Sequence, residues 1–101
     1  MNEEERRELY QALADFYGEK NQCLLCIEEM AELTKELLKF ERGFLNYEQI
    51  AEEVADVTIT LEQVVNIYNI SDDVQKYREK KLQRTAGRLS ADIEKYQEIN
   101  L

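Results

Sequence analysis

The chain has 101 residues, with 22 acids and 13 bases for a net charge of −9 at pH 7, and it contains no proline and no histidine. This composition favours helices almost throughout, and the acidic balance argues against a nucleic-acid-binding protein. No apolar run of about 18 residues could span a membrane, and the N-terminus is too charged for a signal peptide. We therefore expect a cytoplasmic, all-α protein with one domain over residues 1–101.

Helical spacing of apolar residues predicts two helices in the first half of the chain. The first covers residues 3–17 and stops at Gly18, and the second covers about 20–42 and stops at Gly43. Glycine is common after a helix end because it adopts the left-handed backbone conformation without strain. The short turn after the second helix predicts that the next helix lies antiparallel to it.

The third helix is predicted over about 47–69. Asn46 precedes it as a candidate N-cap, and Gln49 stands three residues later, which is a capping-box pattern. Short β-branched runs within this segment are compatible with a strand, but the helical spacing of its acids favours a helix.

The fourth helix is predicted over about 72–86, with Ser71 as its N-cap. Gly87 is expected to interrupt it, and residues 90–100 are expected to form a separate short helix. The predicted fold is thus a bundle of four to five helices.

Polar rows run between two apolar stripes on both the second and the third helix. An ordinary solvated face would be broad and wholly polar, so narrow rows of this kind indicate a site embedded in packing. If the helices are antiparallel neighbours, the two rows face each other. The rows are Gln22, Leu25, Glu29, Glu32 and Glu36, and Gln49, Glu53, Asp56, Thr60 and Gln63.

An EExxE or EExxD pattern occurs once on each of these helices, at residues 28–32 and 52–56. Successive helical residues are about 100° apart, so the three acids of each pattern share a face. Like charges at this spacing repel each other, and more strongly when they are partly removed from water. A hard divalent cation bound by carboxylate oxygens would offset that repulsion.

The two patterns resemble the ExxE and ExxD signature of the MazG-like all-α nucleoside triphosphate pyrophosphohydrolases. The resemblance extends over a core of about residues 10–89 and leaves residues 90–101 as a tail. It implies Mg²⁺-dependent cleavage of a nucleoside triphosphate between its α- and β-phosphates, with Mn²⁺ as a possible substitute. The implied metal ligands are Glu29, Glu32, Glu53 and Asp56. Glu28 and Glu52 match a frequent extra acid of the family and are the candidate catalytic acids, which would orient or deprotonate water; pairing with a basic side chain is the alternative.

Basic residues concentrate in the predicted fourth helix. Residues 71–89 carry six bases and three acids, whereas the rest of the chain is acidic. By the resemblance, Lys81 and Arg84 would bind phosphate oxygens. Gln22, on the same row as Glu29, is a candidate for contact with the base or ribose, with plain packing or solvation as the alternative. The family often has asparagine two positions before the lysine, and Glu79 stands there in this chain. For Lys81 and Arg84 the alternative role is a solvated basic face of the helix.

Cys23 and Cys26 form a CxxC pair. Zinc would need two further thiol or imidazole ligands, which the chain lacks, and a thioredoxin-type site would need a βαβ setting. We expect these cysteines to serve helix packing. The absence of histidine also argues against a di-iron bundle built on Glu-x-x-His pairs.

Two apolar stripes on each helix exceed what one short chain can cover, so we expect a homodimer or homotetramer that completes the bundle. A different class of function is also compatible with the sequence. The acids would then be solubilising or partner-facing groups of a non-catalytic helical interaction module.

Overall fold

The computed structural model describes residues 1–100, which form four α-helices and no β-strand. The all-α prediction is therefore confirmed, and each of the first three helices ends within one residue of its predicted bounds. The final residue of the predicted domain, Leu101, lies outside the described part. The helices are α1 (Glu3–Tyr17), α2 (Glu19–Glu41), α3 (Tyr47–Tyr68) and α4 (Ser71–Asn100).

The chain divides into two compact units. The first, Met1–Asn69, contains α1, α2 and α3, and the second, Ile70–Leu101, contains α4. Within the first unit α2 packs along α3, and α1 contacts both of them. These three helices form a small bundle in which the α2–α3 pair is the main interface.

The ends of α1 are set by local hydrogen bonds. The Asn2 side chain accepts from the backbone N–H of Glu5 at 2.8 Å, and the Glu5 carboxylate accepts from the backbone N–H of Asn2 at 3.1 Å. This reciprocal pair is a capping box. At the other end Gly18 has a φ of 98°, a value that favours glycine, and this one residue joins α1 to α2.

The turn between α2 and α3 differs from its prediction in one respect. Asn46 precedes α3, but its side chain makes no capping hydrogen bond to that helix. Instead the Asn46 amide donates to the backbone oxygen and the carboxylate of Glu36 on α2. The predicted capping box with Gln49 was therefore wrong, because the two bonds that Nδ2 donates to Glu36 hold the side chain in an orientation in which Oδ1, the atom that would cap α3, has no hydrogen-bond partner.

The prediction for α4 was wrong at Gly87. The helix begins at Ser71 and continues through Gly87 to Asn100, so residues 90–100 do not form a separate helix. The backbone oxygen of Ile70 accepts from Val74, so Ile70 occupies the N-cap position that was predicted for Ser71. A glycine costs about 1 kcal/mol in a helix interior, and the flanking segments of good helix formers outweigh it.

Few residues are buried in the first unit, and more than half of them are polar. Buried residues lie mainly at the α2–α3 interface, whereas many large apolar side chains of the same helices are exposed, among them Ile27 (58% exposed) and Leu38 (54%). The interior of this bundle is therefore built as much on polar groups as on hydrocarbon. The buried residues are Tyr10, Ala14, Cys26 and Val57, with Gln22, Glu36, Asn46, Thr60 and Gln63.

In the part of the chain that the structure describes, no helix has both the length and the apolar character needed to cross a membrane.

Candidate metal centre

Three carboxylates converge between α2 and α3. Glu29 contributes one oxygen from α2, Glu53 and Asp56 each contribute one from α3, and the three oxygens lie within 4.8 Å of one another. Oxygens bound to one Mg²⁺ at about 2.1 Å are at most about 4.2 Å apart. Small side-chain adjustments would therefore bring these oxygens to binding distance around one cation. We call Glu29, Glu53 and Asp56 the carboxylate triad.

Helix geometry explains why these three side chains meet. Glu53 and Asp56 are three residues apart on α3, so they lie on the same face. On the antiparallel α2, Glu29 lies midway between the bonded pairs at the two ends of the interface. Those pairs are Cys23 with Tyr68, at 3.6 Å between sulfur and hydroxyl oxygen, and Glu36 with Asn46.

The electrostatics of the triad are unfavourable without a counter-ion. Partial burial, followed by the negative charges of Asp56 and Glu53, raises the pKa of Glu29 above its ordinary range. No ion pair of Lys or Arg with any member of the triad is found among residues 1–100. The folded chain therefore concentrates negative charge at a point where it supplies no cation of its own.

A further observation supports the fit to a hard cation. Oε2 of Glu53 is buried and has no hydrogen-bond partner, although a carboxylate oxygen removed from water normally has one. A divalent cation with oxygen ligands would satisfy that atom and offset the repulsion within the triad. The donor set, which is entirely carboxylate, is of the type that Mg²⁺ and Mn²⁺ accept.

The other predicted acids lie outside the triad. Glu32, the predicted fourth metal ligand, is exposed on α2, one turn beyond Glu29. Glu28 and Glu52, the predicted catalytic acids, are also exposed, each adjacent in sequence to a member of the triad. Exposed side chains at these places are free to reach a bound ligand, and their roles stay predictions.

The three predicted substrate-binding residues have different settings. Gln22 is buried (6% exposed) on α2, two helical turns before Glu29 and on the same face. Lys81 and Arg84 are exposed residues of α4, which belongs to the second unit.

Two side-chain amides on α3, each with a buried atom that has no hydrogen-bond partner, are additional features of the polar interior. Gln63 is 4% exposed and its Oε1 has no hydrogen-bond partner, and Nδ2 of Asn66 is likewise buried and unpartnered. Gln63 continues the polar row of Glu53 and Asp56, so the periodicity indicates its position. Asn66 leaves that row, and no pattern in the sequence points to it.

The two cysteines of α2 are not joined by a disulfide. Cys26 is buried, in agreement with a packing role, and Cys23 is half-buried. Cys23 and Tyr68 line a pocket of about 300 Å³ between α2 and the end of α3. The hydrogen bond to Cys23 is the main cause that raises the pKa of Tyr68 above its usual range.

Comparisons with protein-family models, with curated proteins and with solved structures found no match to this chain.

Proposed function

We propose that this protein is a Mg²⁺-dependent nucleoside triphosphate pyrophosphohydrolase. The observation that carries the proposal is the convergence of the carboxylate triad within 4.8 Å between two antiparallel helices. The resemblance of the two acidic patterns to the MazG-like family suggests which reaction such a site would serve. Water would add across the anhydride bond between the α- and β-phosphates, giving the nucleoside monophosphate, pyrophosphate and a proton.

In this proposal the triad holds the cation, with Glu32 as a further ligand that turns inward when the ion is present. A bound divalent cation supplies the positive charge that lets an anionic triphosphate enter an acidic site. Phosphoryl and nucleotidyl transfer depend mainly on positioning and on charge neutralisation. A fixed set of carboxylates on two packed helices meets the positioning requirement.

Glu28 and Glu52 are proposed to act on the attacking water. Both are exposed and lie next to the triad in sequence, so either carboxylate has room to accept a hydrogen bond from a water molecule beside the phosphates. Such a carboxylate orients the water and takes its proton as the new phosphorus–oxygen bond forms. No covalent intermediate with a protein side chain is needed.

Lys81, Arg84 and Gln22 are proposed to bind the substrate. The two cations would neutralise phosphate oxygens, with Arg84 able to form a bidentate contact. The Gln22 amide offers both a donor and an acceptor to a base or ribose. Lys81→Ala and Arg84→Ala are therefore expected to raise KM more than they lower kcat, and Lys76→Ala on the same helix is the control.

The deciding experiment is a product assay. Purified full-length protein with Mg²⁺ is incubated with a panel of canonical, deoxy- and damaged nucleoside triphosphates, and the products are separated by ion-exchange chromatography. We expect pyrophosphate and a monophosphate, not orthophosphate, and we expect Glu53→Gln and Asp56→Asn to abolish their formation. Glu48→Gln changes an exposed acid outside the triad and should retain activity.

The competing proposal is a non-catalytic acidic interaction module, favoured by the exposure of Glu28, Glu32 and Glu52. It predicts that every triphosphate is inert at high protein concentration. It also predicts that Glu32→Gln and Asp56→Asn leave the response to Mg²⁺ unchanged. Either result would contradict the pyrophosphohydrolase.

A further inference from the structure

The apolar side chains of α4 form a regular exposed stripe. Their spacing along the helix is four, three, four and three residues, which is the spacing of the a and d positions of a heptad repeat. All of them are exposed, with Leu82 at 61%, Leu89 at 60%, Ile93 at 47% and Tyr96 at 68%. The stripe, which we call the α4 seam, consists of Leu82, Ala86, Leu89, Ile93 and Tyr96.

A seam with this period is complementary to another helix with the same period. Contiguous exposed apolar surface on a water-soluble helix marks an interaction site, and an a/d repeat keeps that surface facing one partner along the helix. Gly87 lies about 140° from the seam at 100° per residue, so its missing side chain leaves no gap in the apolar stripe. The continuity of α4 through Gly87 matters here, because a break at that residue would separate the two halves of the seam.

The distribution of charge along α4 indicates which helix binds the seam and in which direction that helix runs. Residues 76–88 of α4 carry six basic residues and one acid, whereas residues 90–100 carry three acids and one base. In a parallel pair, the two basic halves would lie side by side and so would the two acidic halves, and they would repel each other. In an antiparallel pair, the basic half of each helix lies along the acidic half of the other, which favours association.

We propose that α4 binds α4 of a second copy of the chain in an antiparallel pair centred on Leu89. The centre of the seam fixes the register, because residues 82 and 96 are equally far from Leu89. Pairing buries the seam of each copy and leaves Arg84 on the opposite side of the helix, since it is about 160° from the seam at 100° per residue. The interface is isologous, as expected for a twofold dimer. This proposal is independent of the proposed catalytic function.

The first test is the molar mass of the full-length protein by light scattering after size exclusion, over a range of concentrations. The wild type is expected to show a dimer that dissociates on dilution. Leu89→Asp with Ile93→Asp places charge in the seam and should shift the protein to monomer. Ala91→Asp is the matched control, because residue 91 lies on the opposite face of the same helix and should leave the dimer intact.

The second test fixes the direction. Gln83 and Gln97 share one heptad position, and in an antiparallel pair centred on Leu89 they lie beside each other across the interface. Protein with Gln83→Cys is mixed with protein with Gln97→Cys under oxidising conditions, and peptide mapping identifies the disulfides. A bond between residues 83 and 97 of different chains is expected. Peptide mapping also distinguishes this bond from any that involves Cys23 or Cys26.

Three outcomes would overturn the proposal. The first is a wild-type protein that stays monomeric at every concentration. The second is a dimer that survives Leu89→Asp with Ile93→Asp, which would place the interface elsewhere. The third is the absence of the 83–97 bond in a mixture where the dimer persists. Circular dichroism of each variant shows whether α4 remains helical, so a loss of folding is distinguished from a loss of pairing.

Discussion

The side-chain amide of Asn46 connects the turn before α3 to Glu36 on α2. Its Nδ2 donates to the Glu36 carboxylate at 2.6 Å and to the Glu36 backbone oxygen at 2.9 Å. Both residues are buried, so water cannot easily replace these bonds. The amide therefore holds the two helices of the candidate metal centre together at one end.

Asn46→Ala is expected to lower the free energy of unfolding by about 1–2 kcal/mol, because two hydrogen bonds of a buried amide are lost. Urea denaturation monitored by circular dichroism measures the change. Gln49→Ala is the control, since Gln49 is exposed and was only predicted to form a capping box, and it should change stability by less than about 0.5 kcal/mol. The opposite order of effects would restore the capping-box interpretation.

The hydrogen bond from Asn46 also lowers the pKa of Glu36 below its ordinary value. A carboxyl group with a lowered pKa in the folded state contributes stability above its unfolded pKa, and that contribution is lost as the pH falls through the folded value. The difference in stability between wild type and Asn46→Ala should therefore narrow as the pH is lowered into the acid range.

Glu29→Gln is expected to have the opposite pH dependence when no divalent cation is present. The raised pKa of Glu29 means that its ionised form costs the folded state stability. This cost develops as the pH rises from the unfolded pKa to the raised folded pKa, is complete above the folded value, and disappears in acid. The variant should therefore melt higher than wild type at neutral pH, and the gain should shrink as the pH falls. Thermal melts in chelator across this range measure it.

The Glu29→Gln experiment has two controls, one with a neighbouring variant and one with added Mg²⁺. Glu28→Gln changes the exposed neighbour and should have little effect on the melting temperature. Saturating Mg²⁺ should reverse the order, with wild type above Glu29→Gln, because a bound cation favours the ionised triad. A variant that is less stable than wild type in chelator at neutral pH would contradict the charge repulsion described for the triad.

Mg²⁺ is expected to stabilise the wild-type protein against heat by mass action. A ligand that binds only the folded state at 100 times its Kd contributes about 2.7 kcal/mol. The increase in melting temperature should disappear in Glu53→Gln and Asp56→Asn and persist in Glu48→Gln. Glu32→Gln decides whether the fourth predicted acid binds the ion, since a loss of the increase in that variant would add it to the triad. No response of the wild type at any Mg²⁺ concentration would count against the metal site.

Tyr10→Phe is expected to destabilise the bundle by about 1–2 kcal/mol. The Tyr10 hydroxyl donates to the carboxylate of Glu62, which also faces Arg6, so the bond joins α1 to α3. Tyr10 is buried (6% exposed), whereas Tyr17 is 56% exposed. Tyr17→Phe is therefore a control that should have little effect in the same urea titration.

Alkaline pH gives a second measurement for Tyr10. Burial, followed by the hydrogen bond to Glu62, raises the pKa of Tyr10 to about 12. The resulting stability is fully present below the unfolded pKa of about 10 and is lost as the pH rises from there through the folded value. The free energy of unfolding of the wild type should fall with pH over this interval more steeply than that of Tyr10→Phe. Equal dependence on pH in the two proteins would show that Tyr10 does not contribute.

Gly87→Ala is expected to stabilise α4 by about 0.5–1 kcal/mol, because glycine loses more conformational freedom than alanine in a helix. An added Cβ would meet no atom within 4 Å, so no clash opposes the gain. Helicity during thermal unfolding, followed by circular dichroism, measures it. Ala91→Gly, four residues later, should change stability in the opposite sense. A loss of helicity in Gly87→Ala would indicate that the helix does break there.

Helix ends in the first unit could be predicted because they depend on neighbours in the sequence. Gly18 and Gly43 have positive φ angles, and their effect on the backbone is local. Asn46 could not be predicted in the same way, since its side chain has a choice between the start of α3 and an acceptor ten residues earlier. Gly87 is the reverse case, where a local signal was overruled by the helix-forming residues on both sides.

In the candidate metal centre, too, the features that depend on local helix geometry could be predicted, and those that depend on tertiary contacts could not. The rule of 100° per residue placed Glu29, Glu53 and Asp56 on facing rows, and the structure brings them together. Periodicity cannot say how far along a row the contact extends, so it does not decide whether Glu32, which is exposed one turn beyond Glu29, binds the same ion. Asn66 is beyond such reasoning, because the burial of its Nδ2 atom depends on tertiary packing and not on the spacing of residues along α3.

The polar character of the buried residues has a consequence for the thermodynamics of unfolding. Exposure of apolar surface raises the heat capacity, and exposure of polar surface lowers it. A bundle whose interior contains Gln22, Thr60 and Gln63 beside only a few apolar side chains should therefore unfold, as an isolated chain, with a small heat-capacity change for its length. Its free energy of unfolding would then vary little with temperature. If a second copy covers apolar surface, calorimetry should give a larger heat-capacity change at protein concentrations where the dimer forms.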